Sequence, residues 1–131
     1  MREISIVTKE RDQLVDITST VNDTLKSAPS DNGLCLVFVP HTTAAVTVNE
    51  GADPDVRTDI LKIMKKAVPA DAGYRHSEGN SDSHAKCSLF GVSLPLIFRD
   101  RRLLLGQWQS VYFCEFDGPR TRKVIIHVIP G

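Results

Sequence analysis

An excess of charge of either sign is missing: sixteen Lys and Arg balance sixteen Asp and Glu, giving a formal net charge of zero over 131 residues. A duplex-binding surface needs surplus positive charge to displace counterions from phosphates, so nucleic acid is not expected as a partner. Balanced charge also leaves little repulsion between copies, which permits self-association without requiring it. Long apolar runs are missing too. LCLVFV at 34–39 and LLL at 103–105 fall far short of the roughly 20 residues that span a bilayer, so no membrane partner is expected. The opening MREISIVTKERD alternates polar with apolar residues and carries acids, unlike a signal or transit peptide. Cysteine is sparse, with three residues and no CxxC, which argues against a disulfide framework and for a reducing cytoplasm. Cys35 and Cys114 sit between apolar neighbours as small buried hydrophobes. Cys87, three residues after His84, is open to either a structural or a chemical role. No Walker loop, GxGxxG, GxSxG or HExxH occurs, which removes the common nucleotide and hydrolase signatures.

What remains is the composition of one ordinary globular domain over residues 1–131, 41% hydrophobic and 24% charged. REISIVT alternates as a half-buried strand, and Leu14, Ile17, Val21 and Leu25 fall on one helical face. LCLVFV reads as a buried strand stopped by Pro40, with AAVTVNE as its neighbour. A second helix starts at Asp53-Pro54-Asp55, where Asp53 can cap free amides and Pro54 fits the first turn. Its expected buried stripe is Val56, Ile60, Ile63, Met64 and Ala67, with Lys62, Lys65 and Lys66 towards the negative end of the helix dipole. Residues 69–84 read as a long polar loop, and everything after it as strands, with DGPR the better hairpin turn and RDRR the weaker. The order β-α-β-β-α-β-β-β-β implies an α+β fold with largely antiparallel sheets and two principal helices.

Candidate chemistry gathers at the ends of these elements. His41 follows a buried strand, while His76 and His84 bracket a segment holding Glu78, Gly79, Asn80 and Asp82. Imidazoles suit zinc and related metals, and carboxylates can complete such a set. The seven residues between His76 and His84 match no zinc-finger spacing, so the metal signal is unspecific. His127, inside VIIHVI, reads as a structural histidine, and Trp108 in GQWQ as a core residue. Glu50, at the end of TVNE, suits either a helix-start carboxylate or a general base. Glu115, between Cys114 and Phe116, must face water or find a partner. In the simplest reading it faces solvent and Asp117 only begins a turn. Arg120, Arg122 and Lys123 can pair with these acids or bind a phosphate-bearing ligand.

PHTTAAVTVNEGADPDV, HSEGNSDSHAKCSLFG and LLLGQWQSVYFCEFDGPRTRKV together resemble the YjbQ family, also called secondary thiamine-phosphate synthases, over nearly the whole chain. The resemblance implies a compact α+β homotrimer. Its characteristic positions fall on His41, Thr42, Asn49, Glu50, His76, Gly79, Asn80, His84, Gly106, Gln109, Glu115 and Asp117. It also implies a pocket where His41, His76 and His84 hold a divalent metal, zinc or alternatively magnesium. Glu50 and Asp117 then serve as catalytic carboxylates, and Asn80, Gln109 and Arg120 orient a phosphorylated small-molecule substrate. The implied reaction couples a pyrimidine diphosphate to a thiazole phosphate, releasing pyrophosphate. A metal-dependent hydrolase and a non-catalytic ligand- or metal-binding trimer are the alternatives.

Overall fold

The computed structural model describes residues 1–131. Its elements in order are β1 (Arg2–Val7), β2 (Gln13–Asp16), α1 (Thr18–Leu25), β3 (Gly33–Phe38), β4 (Ala44–Glu50), α2 (Pro54–Ala67), α3 (Ser81–Phe90), β5 (Ser93–Arg99), β6 (Arg102–Leu103), β7 (Gln109–Glu115) and β8 (Thr121–Pro130). Two antiparallel sheets result, one ordered β1-β8-β3-β5-β6 and the other β2-β7-β4. The main core lies between them. Ile6, Cys35, Val37, Phe98, Val124 and Ile126 of the larger sheet meet Ala44, Val46, Val111 and Phe113 of the smaller, beside Ile17, Val21 and Leu25 of the α1 region. The far face of the smaller sheet carries Leu14, Ala45, Tyr112, Cys114 and Phe116. Ile60 and Leu61 of α2 and Phe90 of α3 cover it. The outer face of the larger sheet has no such cover. No helix is long and apolar enough to cross a membrane.

Several local expectations hold for their stated reasons. Asp53 accepts the Asp55 amide at 2.9 Å with Pro54 at the start of α2, and Lys65 and Lys66 lie in its last turn. Cys35 and Cys114 are free and buried as expected, and Cys87, which the sequence leaves open, is free and buried as well. Others need correction. Leu14 belongs to β2 rather than to the first helix, because it alternates with Gln13 and Val15 against β7. Ile63 and Ala67 of the expected α2 stripe are exposed, and no residue of that helix is fully buried. His127 and Trp108 are likewise exposed.

The two turns exchange roles. RDRR forms the tight β5–β6 hairpin without glycine, with Asp100 and Arg101 at φ 53° and 59°. Such a two-residue turn requires positive φ at both central positions. Arg101 is held there by its Nε on Asp31 at 2.9 Å and its Nη1 on the Lys26 carbonyl at 3.1 Å. DGPR instead carries the chain from the smaller sheet to the larger. A Cβ at Gly118 would strike the Glu10 carbonyl and the Glu115 side chain, so only glycine lets the segments approach.

The largest correction is α3, in a stretch that reads as loop and strand. Its buried residues are Asp82, Ser83, Lys86 and Cys87, a helical spacing occupied mostly by polar groups. Asp82 receives Arg11 at 2.9 and 3.0 Å and Lys86 at 3.1 Å, and Lys86 also reaches Asp12 at 2.9 Å. Burial alone would raise the Asp82 carboxyl. Hydrogen bonds and charge from Arg11 and Lys86 outweigh it and pull the group down to about 2.

A second buried pair joins the sheets. Glu115 ends β7 and takes Arg122 of β8 through Nε at 2.9 and 3.1 Å and Nη2 at 2.5 Å. Thr8 donates to the same carboxylate at 2.7 Å. Burial raises the Glu115 carboxyl, but Arg122, Thr8 and the Asp117 amide outweigh this and lower it. Glu115→Gln leaves Arg122 buried without its counter-charge and is expected to cost about 3–5 kcal/mol in urea unfolding. Glu3→Gln, in the exposed pair with Lys123, should leave the midpoint nearly unchanged. Because the folded-state pKa values of Asp82 and Glu115 lie below their unfolded values, their contribution is complete above the ordinary carboxylate range. It is lost as pH falls, so unfolding free energy should drop steeply below about pH 4.

Candidate functional site

Four chain segments converge beside the Glu115–Arg122 pair. The β3–β4 connection brings His41, Thr42 and Thr43, and the segment before α3 brings His76 and Glu78. The start of α3 brings Asn80 and His84, and the β7–β8 passage brings Asp117, Arg120 and Arg122. They line an open pocket of about 500 Å³ with no hydrophobic side chain in its wall. Such a wall suits a strongly polar ligand.

Asp117 organises one side. Its Oδ2 accepts Asn80 Nδ2 at 2.8 Å and Arg120 Nη2 at 3.1 Å, and its carbonyl accepts Arg120 Nε at 2.8 Å. Asn80 is buried, and its Oδ1 has no hydrogen-bond partner. On the other side His41 Nε2 accepts the Lys123 amide at 2.9 Å. A neutral imidazole accepting at Nε2 carries its proton on Nδ1. Burial lowers the His41 pKa, and Arg122 lowers it further. His76 and His84 meet edge to face with ring centroids 5.5 Å apart, and Glu78 lies 3.8 Å from His76 Nε2.

Six of the eight expected site residues therefore meet: His41, His76, His84, Asn80, Asp117 and Arg120. Glu50 and Gln109 do not. They face each other at the opposite end of the β4–β7 ladder, six residues from the Ala44–Glu115 pair beside the pocket, about 20 Å at strand rise. Glu50 accepts the Ala52 amide at 3.2 Å and Gln109 accepts the Gly106 amide at 2.7 Å, so both brace turns in this chain. The expected solvent-facing Glu115 is instead fully buried, because it found a partner.

The three-histidine metal set does not fit this arrangement. No three His, Cys, Asp or Glu side chains converge as a metal-holding group. His41, moreover, has its Nε2 lone pair committed to Lys123 and a proton on the other nitrogen. Arg122, which the sequence offers either as a partner for Glu115 and Asp117 or as a phosphate ligand, also lines the pocket, and Thr43 joins it. Arg122 had a readable signal, since it is in phase with Val124 and Ile126 on the inward side of β8. Thr43 had none.

Comparison with known proteins agrees with this fold. The sequence profile of the family described as UPF0047 protein YjbQ-like matches residues 2–131. The UPF0047 protein YugU of Bacillus subtilis is 43% identical over 130 residues, covering 98% of each chain. A UPF0047 protein of Methanocaldococcus jannaschii is 43% identical over 124 residues, covering 95% of this chain and 90% of its own. A crystal structure of a YjbQ/UPF0047 protein from Clostridium acetobutylicum superposes with a TM-score of 0.96 at 46% identity, covering 98% of this chain and all of that one. A protein of unknown function from Sulfolobus solfataricus reaches a TM-score of 0.94 at 29% identity, covering 99% and 96%.

The bond from the Lys123 amide makes a spectroscopic prediction. Side-chain nitrogen NMR should find His41 as the Nδ1–H tautomer, titrating below the ordinary histidine value of about 6.5. A dominant Nε2–H tautomer would contradict the arrangement.

Proposed function

The chain belongs to the YjbQ-like UPF0047 family, and from that premise we propose that the pocket is the active site of a transferase acting on phosphorylated small molecules, with thiamine-phosphate synthase-like activity. The observation that carries this reading is an entirely polar wall in which two arginines and three histidines face one cavity. In the reaction, the thiazole nitrogen attacks the methylene carbon of the pyrimidine diphosphate. A C–N bond forms, the C–O bond to diphosphate breaks, and its electron pair leaves with pyrophosphate. The developing negative charge is what arginines neutralise most effectively. Arg120, kept in place by Asp117, binds the leaving group, and the imidazole N–H groups of His76 and His84 donate to it. Asp117 acts here by holding Arg120 and Asn80 rather than by moving a proton. A zinc centre held by three histidines has no part in the proposal, since His41 has its Nε2 on the Lys123 amide and its proton on Nδ1.

The family resemblance adds a homotrimer. Its support is the uncovered outer face of the larger sheet, where Leu34 pairs directly with both Ile97 and Ile129, and Phe38 with Ile125. Leu34, Phe38, Ile97 and Ile129 are all exposed, a contiguous apolar patch of the kind that marks association. Three buried free thiols suit a reducing cytoplasm.

The proposed activity is tested by incubating the purified protein with the two phosphorylated precursors in magnesium buffer and quantifying thiamine phosphate. Product should form, and Arg120→Ala should slow its formation about tenfold or more. Formation no faster than with heat-inactivated protein would overturn the assignment. For assembly, light scattering should give three times the chain mass, and Ile97→Lys should reduce it to one. A monomeric wild-type protein would overturn the trimer.

A further inference from the structure

Arginine has five N–H donors, and those of Arg122 can be accounted for individually. Nε is taken by both oxygens of Glu115, and Nη2 by Glu115 Oε2 and by Thr43 through its hydroxyl at 2.8 Å and its carbonyl at 3.3 Å. Nη1 makes no hydrogen bond within the protein. It is also absent from the fully buried polar atoms left without a partner, which are Arg57 Nε and Asn80 Oδ1 alone. The side chain is 4% exposed and lines the pocket, so this residual opening lies at Nη1.

The neighbouring groups are arranged in the same sense. Arg120 uses Nε and Nη2 on Asp117, and its Nη1 is also uncommitted. His41 adds an Nδ1–H, because its other nitrogen accepts from Lys123. Two of the three nearby acids are already engaged: Glu115 by Arg122, Thr8 and the Asp117 amide, and Asp117 Oδ2 by Asn80 and Arg120, while the third, Glu78, is exposed and has only His76 Nε2 at 3.8 Å. The pocket thus offers donors from held groups, and the two carboxylates beside the arginines, Glu115 and Asp117, are spent on holding them.

We infer that Arg122 is the pocket's principal oxyanion-binding residue, presenting Nη1 to a phosphate or diphosphate, with Glu115 as the positioning residue that fixes the guanidinium. This deepens the transferase reading by naming the ligand group and its anchor, and it rests on that reading for the pocket being a ligand site. Arg120 is the second clamp, its side chain exposed and tied only to Asp117 of its own loop. Arg122 is the fixed one, because its pairing spans both sheets. An arginine fork recognises phosphate oxygens in a way that a lysine point charge does not.

The test uses inorganic pyrophosphate as the probe and titration calorimetry on the full chain. Wild-type protein should bind it, and Arg122→Lys, which retains charge near Glu115, should weaken binding about tenfold or more. Circular dichroism and the urea midpoint check that the variant is folded. In parallel, the Nε–H resonance of Arg122 in wild-type protein, sheltered by Glu115, should shift on adding pyrophosphate. That readout stands if the variant fails to fold. Absence of pyrophosphate binding, an unmoved Arg122 signal, or full affinity in folded Arg122→Lys would each overturn the inference. Pyrophosphate binding through Arg122 without any thiamine phosphate formation would uphold it while removing the transferase assignment.

Discussion

The arrangement depends on one buried ion pair. Glu115 and Arg122 lie on either side of the passage between the two sheets, and their mutual neutralisation allows two charges to reside where neither could alone. Thr8 after β1 and Thr43 before β4 complete their hydrogen bonds, so four segments meet at a single carboxylate–guanidinium contact. The core residues fill the sandwich between the sheets. The pair sets how the sheets meet at one edge, and that edge is where the pocket opens.

The same strategy recurs in α3. Its inward face is held by Asp82 and Lys86 against Arg11 and Asp12 rather than by an apolar stripe. Anchoring of this type is directional, since hydrogen bonds fix rotation where hydrophobic contact tolerates slippage. Asn80 and His84 inherit that fixed rotation from the helix that bears them. The wall of the pocket is thus built on two satisfied charge networks, which keeps its polar side chains in place without packing against them.

Much of this was legible in the residues. The antiparallel α+β class, the capped start of α2, the buried thiols and six of the site residues follow from alternation, capping chemistry and motif resemblance. The misses have separate causes. Periodicity finds elements through apolar residues, so α3, whose periodic face is ionic, reads as loop and then strand. Glu50 and Gln109 belong with the site by resemblance of their strings to the family's. Strand geometry instead puts them at the far end of the ladder from Glu115. Asp-Gly suggested a hairpin, but the glycine in fact serves close approach between sheets, and a side-chain clamp on Arg101 made a tight turn without one.

The burial of all three thiols extends beyond packing. Cys35 has its ionisation pushed up to about 11 by burial, and Cys114 is raised further by the same cause. Cys87 is raised as well, again chiefly through burial. Only the thiolate attacks electrophiles, so the folded chain is poorly reactive towards alkylating reagents and peroxide. A single cysteine introduced on its surface would consequently be the one site to accept a fluorophore or spin label, with the native sulfur left untouched.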